Sequence, residues 1–173
     1  MHAREKLIAG NRLYTECGNA ALRVKTARDG QHPYAVVVCC SDSRVIPEQI
    51  FSADIGELFV IRVAGNVLDR HQLGSIEYAA AHLGCSLVVL LGHTGCGAVA
   101  AALSAHSEGY IAFITDEIRA AIGMERDPDA ACRLNVTHGV EQIRAAFATH
   151  PELSTLEVAG AVYDIGTGEV AWL

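Results

Sequence analysis

Short apolar runs rich in β-branched residues recur along the chain, and they predict three strands at 34–39, 57–63 and 86–91. The first is a continuous run, as expected for a strand that is buried on both faces of a parallel sheet. Two further runs, at 156–163 and 169–173, are joined by a turn containing Gly166 and Gly168. This spacing predicts a hairpin, so the last strand should run antiparallel at the sheet edge.

Segments with helical spacing of apolar residues separate these strands. Residues 69–83 predict a helix that ends at Gly84, and a short helix is expected to begin at Pro47. The small residues at 98–103 predict a helix packed tightly on the sheet, and 110–122 and 128–149 predict two more. The alternation predicts an α/β fold with a mostly parallel central sheet, an antiparallel C-terminal edge strand and helices on both faces. We expect residues 1–173 to form a single domain.

The N-terminal residues 1–30 have a weaker pattern. Leu7, Ile8 and Leu13 lie among charged residues and predict an amphipathic helix ending near Gly18, and the polar stretch 28–33 predicts a loop. We interpret this segment as a helical arm that packs on a partner subunit.

Composition then excludes several classes of protein. Thirteen basic and twenty acidic residues give a net charge of −7 with no basic block, which argues against nucleic-acid binding. No apolar run has the length of a membrane span, and the charged start does not resemble a signal peptide. The six cysteines have no regular disulfide spacing. We therefore expect a cytoplasmic protein with no membrane partner.

Two of the predicted strands end at residues that bind metals. Cys40 follows the first strand, and His93 and Cys96 follow the third. Ligands of open α/β sheets bind at the carboxyl ends of the strands, so these three side chains are expected to meet. Thiolate and imidazole are preferred zinc ligands, and three protein ligands leave the fourth position open. The sequence predicts one zinc ion per chain.

Neither cysteine motif is a strong signal by itself, because buried cysteines are common and the His-x-x-Cys spacing arises by chance. The joint placement of both motifs at strand ends is much more specific. Side chains alternate across a strand, so Cys39 and Cys40 should face opposite sides of the sheet. Only one of them can join the metal site.

Asp42 and Arg44 follow Cys40 closely. From the residues alone, Asp42 has two roles open to it: fourth zinc ligand, or acceptor of a hydrogen bond from zinc-bound water. Arg44 is suited to hold that carboxylate in a bidentate pair. A polar surface turn without function is the alternative to both roles.

The segments 40–44 (CSDSR), 62–66 (RVAGN) and 93–97 (HTGCG), in this order and spacing, resemble the β-class carbonic anhydrases. The similarity extends from residues 10–12 to 160–165, nearly the whole chain. It implies that Cys40, His93 and Cys96 bind zinc and that Asp42 and Arg44 are the catalytic pair. It also implies reversible hydration of carbon dioxide to bicarbonate and a proton by zinc-bound hydroxide, in a homodimer or larger homo-oligomer with active sites at the subunit interface.

The resemblance also bears on the substrate pocket. In the plant-like members a glutamine, a phenylalanine and a tyrosine line the carbon dioxide pocket, and Gln31, Phe59 and Tyr78 match them. The Gly97 amide would be a further donor to substrate, and Ala64 would add an apolar wall.

A second version of the family site closes in response to bicarbonate and carries a tryptophan on the first strand. Here Val37 occupies that position, although Arg62 and Tyr163, the usual companions of the tryptophan, are present. We therefore expect an open zinc site with water as the fourth ligand. Val63 departs from the usual asparagine of its motif, which would loosen the packing beside the site.

Three other functions compete with this interpretation. Carbonyl sulfide and carbon disulfide are linear isosteres of carbon dioxide, so their hydrolysis at the same zinc is an alternative. A non-catalytic protein with a structural or regulatory zinc is another, although it has no need of the Asp42–Arg44 pair. A redox protein is disfavoured because the chain has no Cys-x-x-Cys motif.

Overall fold

The computed structural model describes residues 2–104 and 107–173. The chain divides into two compact units, Met1–Gln31 and His32–Leu173. Among the residues described, no helix has both the length and the apolar character needed to cross a membrane.

The first unit consists of the helices α1 (Ala3–Cys17) and α2 (Ala20–Asp29). Its second helix was not predicted; the Asn19 side chain caps it by accepting a hydrogen bond from the Leu22 amide at 3.0 Å. The Arg23 guanidinium lies 4.7 Å from the centroid of the Tyr14 ring and also donates to the Tyr14 carbonyl. Along both helices no residue is buried, so this unit does not form a core of its own.

The second unit contains a mixed sheet and the remaining helices. In chain order the elements are β1 (Ala35–Cys39), α3 (Pro47–Ile50), β2 (Leu58–Arg62), a 3-10 turn (Ala64–Asn66), α4 (Arg70–Leu83), β3 (Leu87–His93), α5 (Gly97–Leu103), α6 (Ile111–Ile122), α7 (Pro128–Phe147), β4 (Glu157–Tyr163) and β5 (Val170–Trp172).

The described strands form one sheet in the order β2-β1-β3-β4-β5. All neighbouring pairs are parallel except β4 with β5, which is antiparallel. The predicted α/β class, the mostly parallel sheet and the antiparallel C-terminal edge strand are therefore confirmed. The end of the third strand was predicted wrongly: the strand continues past Leu91 to His93, because Gly92 and His93 pair with Val162 and Tyr163 of β4.

Side chains of β1 alternate between two cores. Val36 and Val38 pack with residues of α4 and α7 on one face of the sheet. Val37 and Cys39 pack on the opposite face with Ile50 of α3. This alternation confirms that Cys39 faces away from Cys40, which lies in a third cluster with residues of α5 and α6.

Helix α7 packs very closely on β3, and a glycine makes this possible. A Cβ atom at Gly92 would lie 2.5 Å from Val136 Cγ2 and 3.1 Å from Cys132 Sγ. Any larger residue at position 92 would therefore push α7 away from the carboxyl end of β3.

Candidate metal centre

Three side chains from two strand ends form a cluster suited to a metal ion. Cys40 directly follows β1, His93 is the last residue of β3, and Cys96 directly precedes α5. Their candidate ligand atoms lie within 4.8 Å of one another, and all three residues are buried. The structure thus brings together the three residues that the sequence predicted as zinc ligands.

The His93 ring is oriented for coordination. Its Nδ1 atom lies 2.9 Å from the Thr94 carbonyl oxygen, a contact that requires the proton on Nδ1. The Nε2 atom then carries a lone pair, yet it is buried and has no hydrogen-bond partner in the described part of the chain. Buried polar atoms are normally paired, so this orphaned acceptor fits a metal ligand.

The Cys40 thiol lies in surroundings that favour its thiolate form. The neighbouring Cys96 thiol lowers the pKa of Cys40 against the opposing effect of burial, and His93 and the amides of Gly65 and Asp42 add to the lowering, while the same contact raises the pKa of Cys96. The Gly65 and Asp42 amides lie 3.3 Å and 3.4 Å from Cys40 Sγ. A buried thiolate beside a second thiol and an imidazole is the donor set that zinc prefers.

Asp42 and Arg44 form a bidentate pair beside this cluster. Arg44 Nε lies 2.9 Å from Asp42 Oδ1, and Arg44 Nη2 lies 2.7 Å from Asp42 Oδ2. The hydrogen bonds from Arg44 hold the pKa of Asp42 well below its usual range. Asp42 is therefore an ionised acceptor, with an exposed fraction of only 16%.

Arg62 has a role here that the sequence interpretation did not assign to it. Its Nη2 atom donates to the Asp42 carbonyl at 2.6 Å, and its Nε atom donates to the Cys40 carbonyl at 3.3 Å. The guanidinium therefore fixes the backbone between a metal ligand and the acidic residue. The 62–66 motif, which begins with Arg62, was the available signal.

The five residues predicted to bind substrate lie in different places. Ala64 begins the 3-10 turn that contains Gly65, and Gly97 is exposed and directly follows Cys96. Gln31 is exposed at the end of the first unit.

The remaining two, Phe59 and Tyr78, contact each other at a ring-centroid distance of 6.2 Å. Phe59 pairs with Val36, four residues before Cys40, or about 13 Å along the strand. These aromatic rings are therefore displaced from the carboxyl end of β1 in their own chain.

Comparisons with known proteins decide the family. The carbonic anhydrase family model matches residues 35–170. A carbonic anhydrase of Mycolicibacterium smegmatis is 36% identical over 178 residues, covering 95% of this chain and 85% of the relative. Among solved structures, a Coccomyxa β-carbonic anhydrase in complex with acetazolamide is similar with a TM-score of 0.81 at 27% identity, covering 100% of this chain and 87% of the other.

This chain belongs to the β-class carbonic anhydrases. A tetrameric β-carbonic anhydrase from Sordaria macrospora is similar too, with a TM-score of 0.73 at 31% identity, covering 99% of this chain and 93% of the other. Membership confirms the predicted enzyme class and carbon dioxide hydration, and the enzyme contains the Cys-His-Cys triad that this class uses for zinc.

Proposed function

We propose that the enzyme hydrates carbon dioxide at a zinc ion held by Cys40, His93 and Cys96, one per chain, with Asp42 and Arg44 orienting the attacking water. The observation that carries this proposal is the placement of an ionised Asp42, clamped by Arg44, beside three clustered ligand side chains.

Zinc at this position would act as a Lewis acid that makes water acidic enough to serve as a nucleophile near neutral pH, a role for which carbonic anhydrases are the standard case. The fit rests on the orphaned Nε2 atom of His93 and on the low pKa of the Cys40 thiol. Cys40 and Cys96, as thiolates that release their protons on metal binding, and the His93 imidazole would supply three ligands, which leaves one position for water.

Asp42 would orient the water that attacks carbon dioxide. Both of its carboxylate oxygens accept hydrogen bonds from Arg44, so it stays ionised and has no proton to donate. The attacking water must therefore donate a hydrogen bond to Asp42 and direct a lone pair at the carbon. A carbon–oxygen bond forms, bicarbonate is released and the proton passes to solvent.

We propose that the zinc site is of the open kind, with water as the fourth ligand. In the described residues, the group of mutually close ligand atoms comprises Cys40, His93 and Cys96 and does not include the Asp42 carboxylate. The Arg44 clamp opposes movement of Asp42 onto the metal, since that movement would break two charge-assisted hydrogen bonds. These contacts also disfavour a purely structural zinc with Asp42 as its fourth ligand.

We propose that Gln31, Phe59, Ala64, Tyr78 and Gly97 form the carbon dioxide pocket and that a homodimer completes it. Phe59 of β2 pairs with Val36 near the start of β1, whereas the metal ligand Cys40 follows the end of β1. This separation supports a contribution of Phe59 and Tyr78 to the active site of a partner subunit. The helices α1 and α2 support dimerisation too, because their apolar side chains are exposed: 76% for Leu7 and 68% for Val24. Solved relatives include tetrameric β-carbonic anhydrases.

The compartment is a further proposal. All six cysteines are free thiols, five of them buried, which agrees with a reducing cytoplasm.

The test is stopped-flow carbon dioxide hydration by the purified enzyme across pH, combined with metal analysis. We expect about one zinc per chain, activity that is lost on metal removal, and inhibition by acetazolamide. Carbonyl sulfide and carbon disulfide are assayed in parallel. Absence of carbon dioxide hydration at alkaline pH by the zinc-loaded enzyme would refute the proposal, and a crystal structure with Asp42 on zinc at high pH would refute the open site.

A further inference from the structure

Helix α7 makes two buried hydrogen bonds to the segments that carry the metal ligands. Cys132 Sγ donates to the His93 carbonyl oxygen at 3.2 Å, and Asn135 Nδ2 donates to the Gly65 carbonyl oxygen at 2.9 Å. The two donors lie three residues apart and therefore on one face of the helix. Both side chains are almost completely buried, with 3% of Cys132 and 5% of Asn135 exposed.

One of these carbonyl groups belongs to the ligand His93, and the other belongs to Gly65, which donates a hydrogen bond to the ligand Cys40. The imidazole of His93 is one of the three clustered metal ligands. Gly65 accepts from Asn135 through its carbonyl, while its amide donates to Cys40 Sγ at 3.3 Å. A single backbone residue thus links the Asn135 side chain to the Cys40 thiol.

The backbone at Gly65 is closely surrounded by side chains of α5 and α6. Its φ angle is +68°, and a Cβ atom there would lie 2.8 Å from Ile118 Cδ1 and 2.9 Å from Ala98 Cβ. The close packing of α7 over Gly92 similarly keeps the Cys132 thiol within reach of the end of β3.

Asparagine at position 135 lowers the stability of the fold unless its side chain is hydrogen-bonded. Asparagine is a poor helix former, and burial of its amide is unfavourable without a partner. An apolar residue would suit the interior of a 20-residue helix that packs on the sheet. Its hydrogen bond to Gly65 accounts for an amide where packing alone favours a hydrocarbon.

We propose that Cys132 and Asn135 are positioning residues that align the His93 and Cys40 ligands of the metal centre from one helix. The two ligands are 53 residues apart (93 − 40) and belong to the ends of different strands. Their alignment therefore depends on an element that contacts both segments. Helix α7 contacts both segments through the hydrogen bonds of Cys132 and Asn135, so the ligands are aligned for zinc before the ion binds. This inference rests on the proposed zinc site.

The experiment compares zinc affinity, by competition with a chromophoric chelator, in Cys132→Ala, Cys132→Ser, Asn135→Ala and Asn135→Leu. Cys132→Ser keeps a donor, whereas Asn135→Leu keeps a similar volume and removes the donor. Val140→Ala is the matched control, because Val140 is a buried α7 residue in the same core, away from the ligand segments. The absorption spectrum of the cobalt(II)-substituted proteins reports ligand geometry independently of activity.

Loss of a hydrogen bond in the outer layer of a metal site commonly lowers affinity by about 10- to 100-fold, and we expect this for Cys132→Ala and for both Asn135 variants. Cys132→Ser and Val140→Ala should keep wild-type affinity and cobalt spectra, although Val140→Ala lowers the melting temperature. Asn135→Leu fills the buried site and keeps the test available if Asn135→Ala does not fold.

Wild-type affinity and spectra in Cys132→Ala and the folded Asn135 variants would overturn the positioning role, as would an equal loss in Val140→Ala. A wild-type enzyme that binds no zinc would instead refute the zinc centre itself, so the two failures are distinguishable.

Discussion

Arg44 binds both carboxylate oxygens of Asp42, with distances of 2.9 Å from Nε to Oδ1 and 2.7 Å from Nη2 to Oδ2. Asp42 lies two residues after the ligand Cys40 in sequence, and the Asp42 amide itself contacts the Cys40 thiol at 3.4 Å. The pair therefore fixes an ionised acceptor at the edge of the metal centre, and removal of its charge should affect the reaction more than metal binding.

We expect Asp42→Asn to lower kcat for carbon dioxide hydration by about 100-fold or more while zinc stays bound, because an amide replaces the ionised acceptor that orients water. Stopped-flow assays and zinc analysis measure the two effects. Asp116→Asn is the control, since it removes the same charge from an exposed pair with Arg119 at 2.8 Å. Undiminished turnover in Asp42→Asn would remove Asp42 from the mechanism.

The strand ends were predictable because buried parallel strands have a distinct hydrophobic pattern and because their carboxyl ends converge. This reasoning located Cys40, His93 and Cys96 correctly. It ended β3 two residues early, since Gly92 resembles a turn residue in sequence. In the structure Gly92 is a strand residue that allows α7 to approach.

The contributions of α7 had no sequence signal. Cys132 and Asn135 are a single cysteine and a single asparagine inside a helical segment, about forty residues after His93 in the chain. Their importance depends on the closeness of α7 to β3 and to the 3-10 turn, which only the tertiary packing determines. The helix α2 was missed for a different reason: it has no buried face, so periodicity did not indicate it.

The adjacent residues Cys39 and Cys40 provide a second test. We expect Cys40→Ala to lose zinc because it removes a thiolate ligand, and Cys39→Ala to retain zinc and activity because its side chain packs on the opposite face. The cavity left by Cys39→Ala should cost about 1 kcal/mol of stability. Zinc content after dialysis against a chelator and melting temperatures with and without zinc measure these effects. Zinc loss in Cys39→Ala would contradict the assignment of the ligand.

Gly65 and Gly84 both have positive φ angles, +68° and +74°, but only Gly65 is tightly packed. Alanine at Gly84 adds only backbone strain, about 1–2 kcal/mol. Alanine at Gly65 adds contacts below 3 Å with Ile118 and Ala98, so we expect a total loss of about 2–4 kcal/mol. Urea unfolding of the two variants measures the difference. Equal losses would show that the turn at Gly65 adjusts freely.

The proposed role of Tyr78 in a partner's active site permits a complementation experiment. We expect Asp42→Asn to lose most of its activity with the acceptor, and Tyr78→Ala to weaken hydration by loss of a pocket wall. In a hybrid dimer, the active site containing the Asp42 of the Tyr78→Ala chain would receive an intact Tyr78 from the Asp42→Asn chain. Unfolding and refolding a mixture of the two should therefore restore part of the wild-type activity.

The same chains refolded separately and then combined under conditions that prevent subunit exchange are the control. Recovery in the co-refolded sample alone would support a pocket shared between subunits. If the co-refolded hybrid dimers form, as shown by affinity tags on each chain, and no activity returns, Tyr78 does not act across the interface. Its 48% exposure would then be a property of the surface of its own chain.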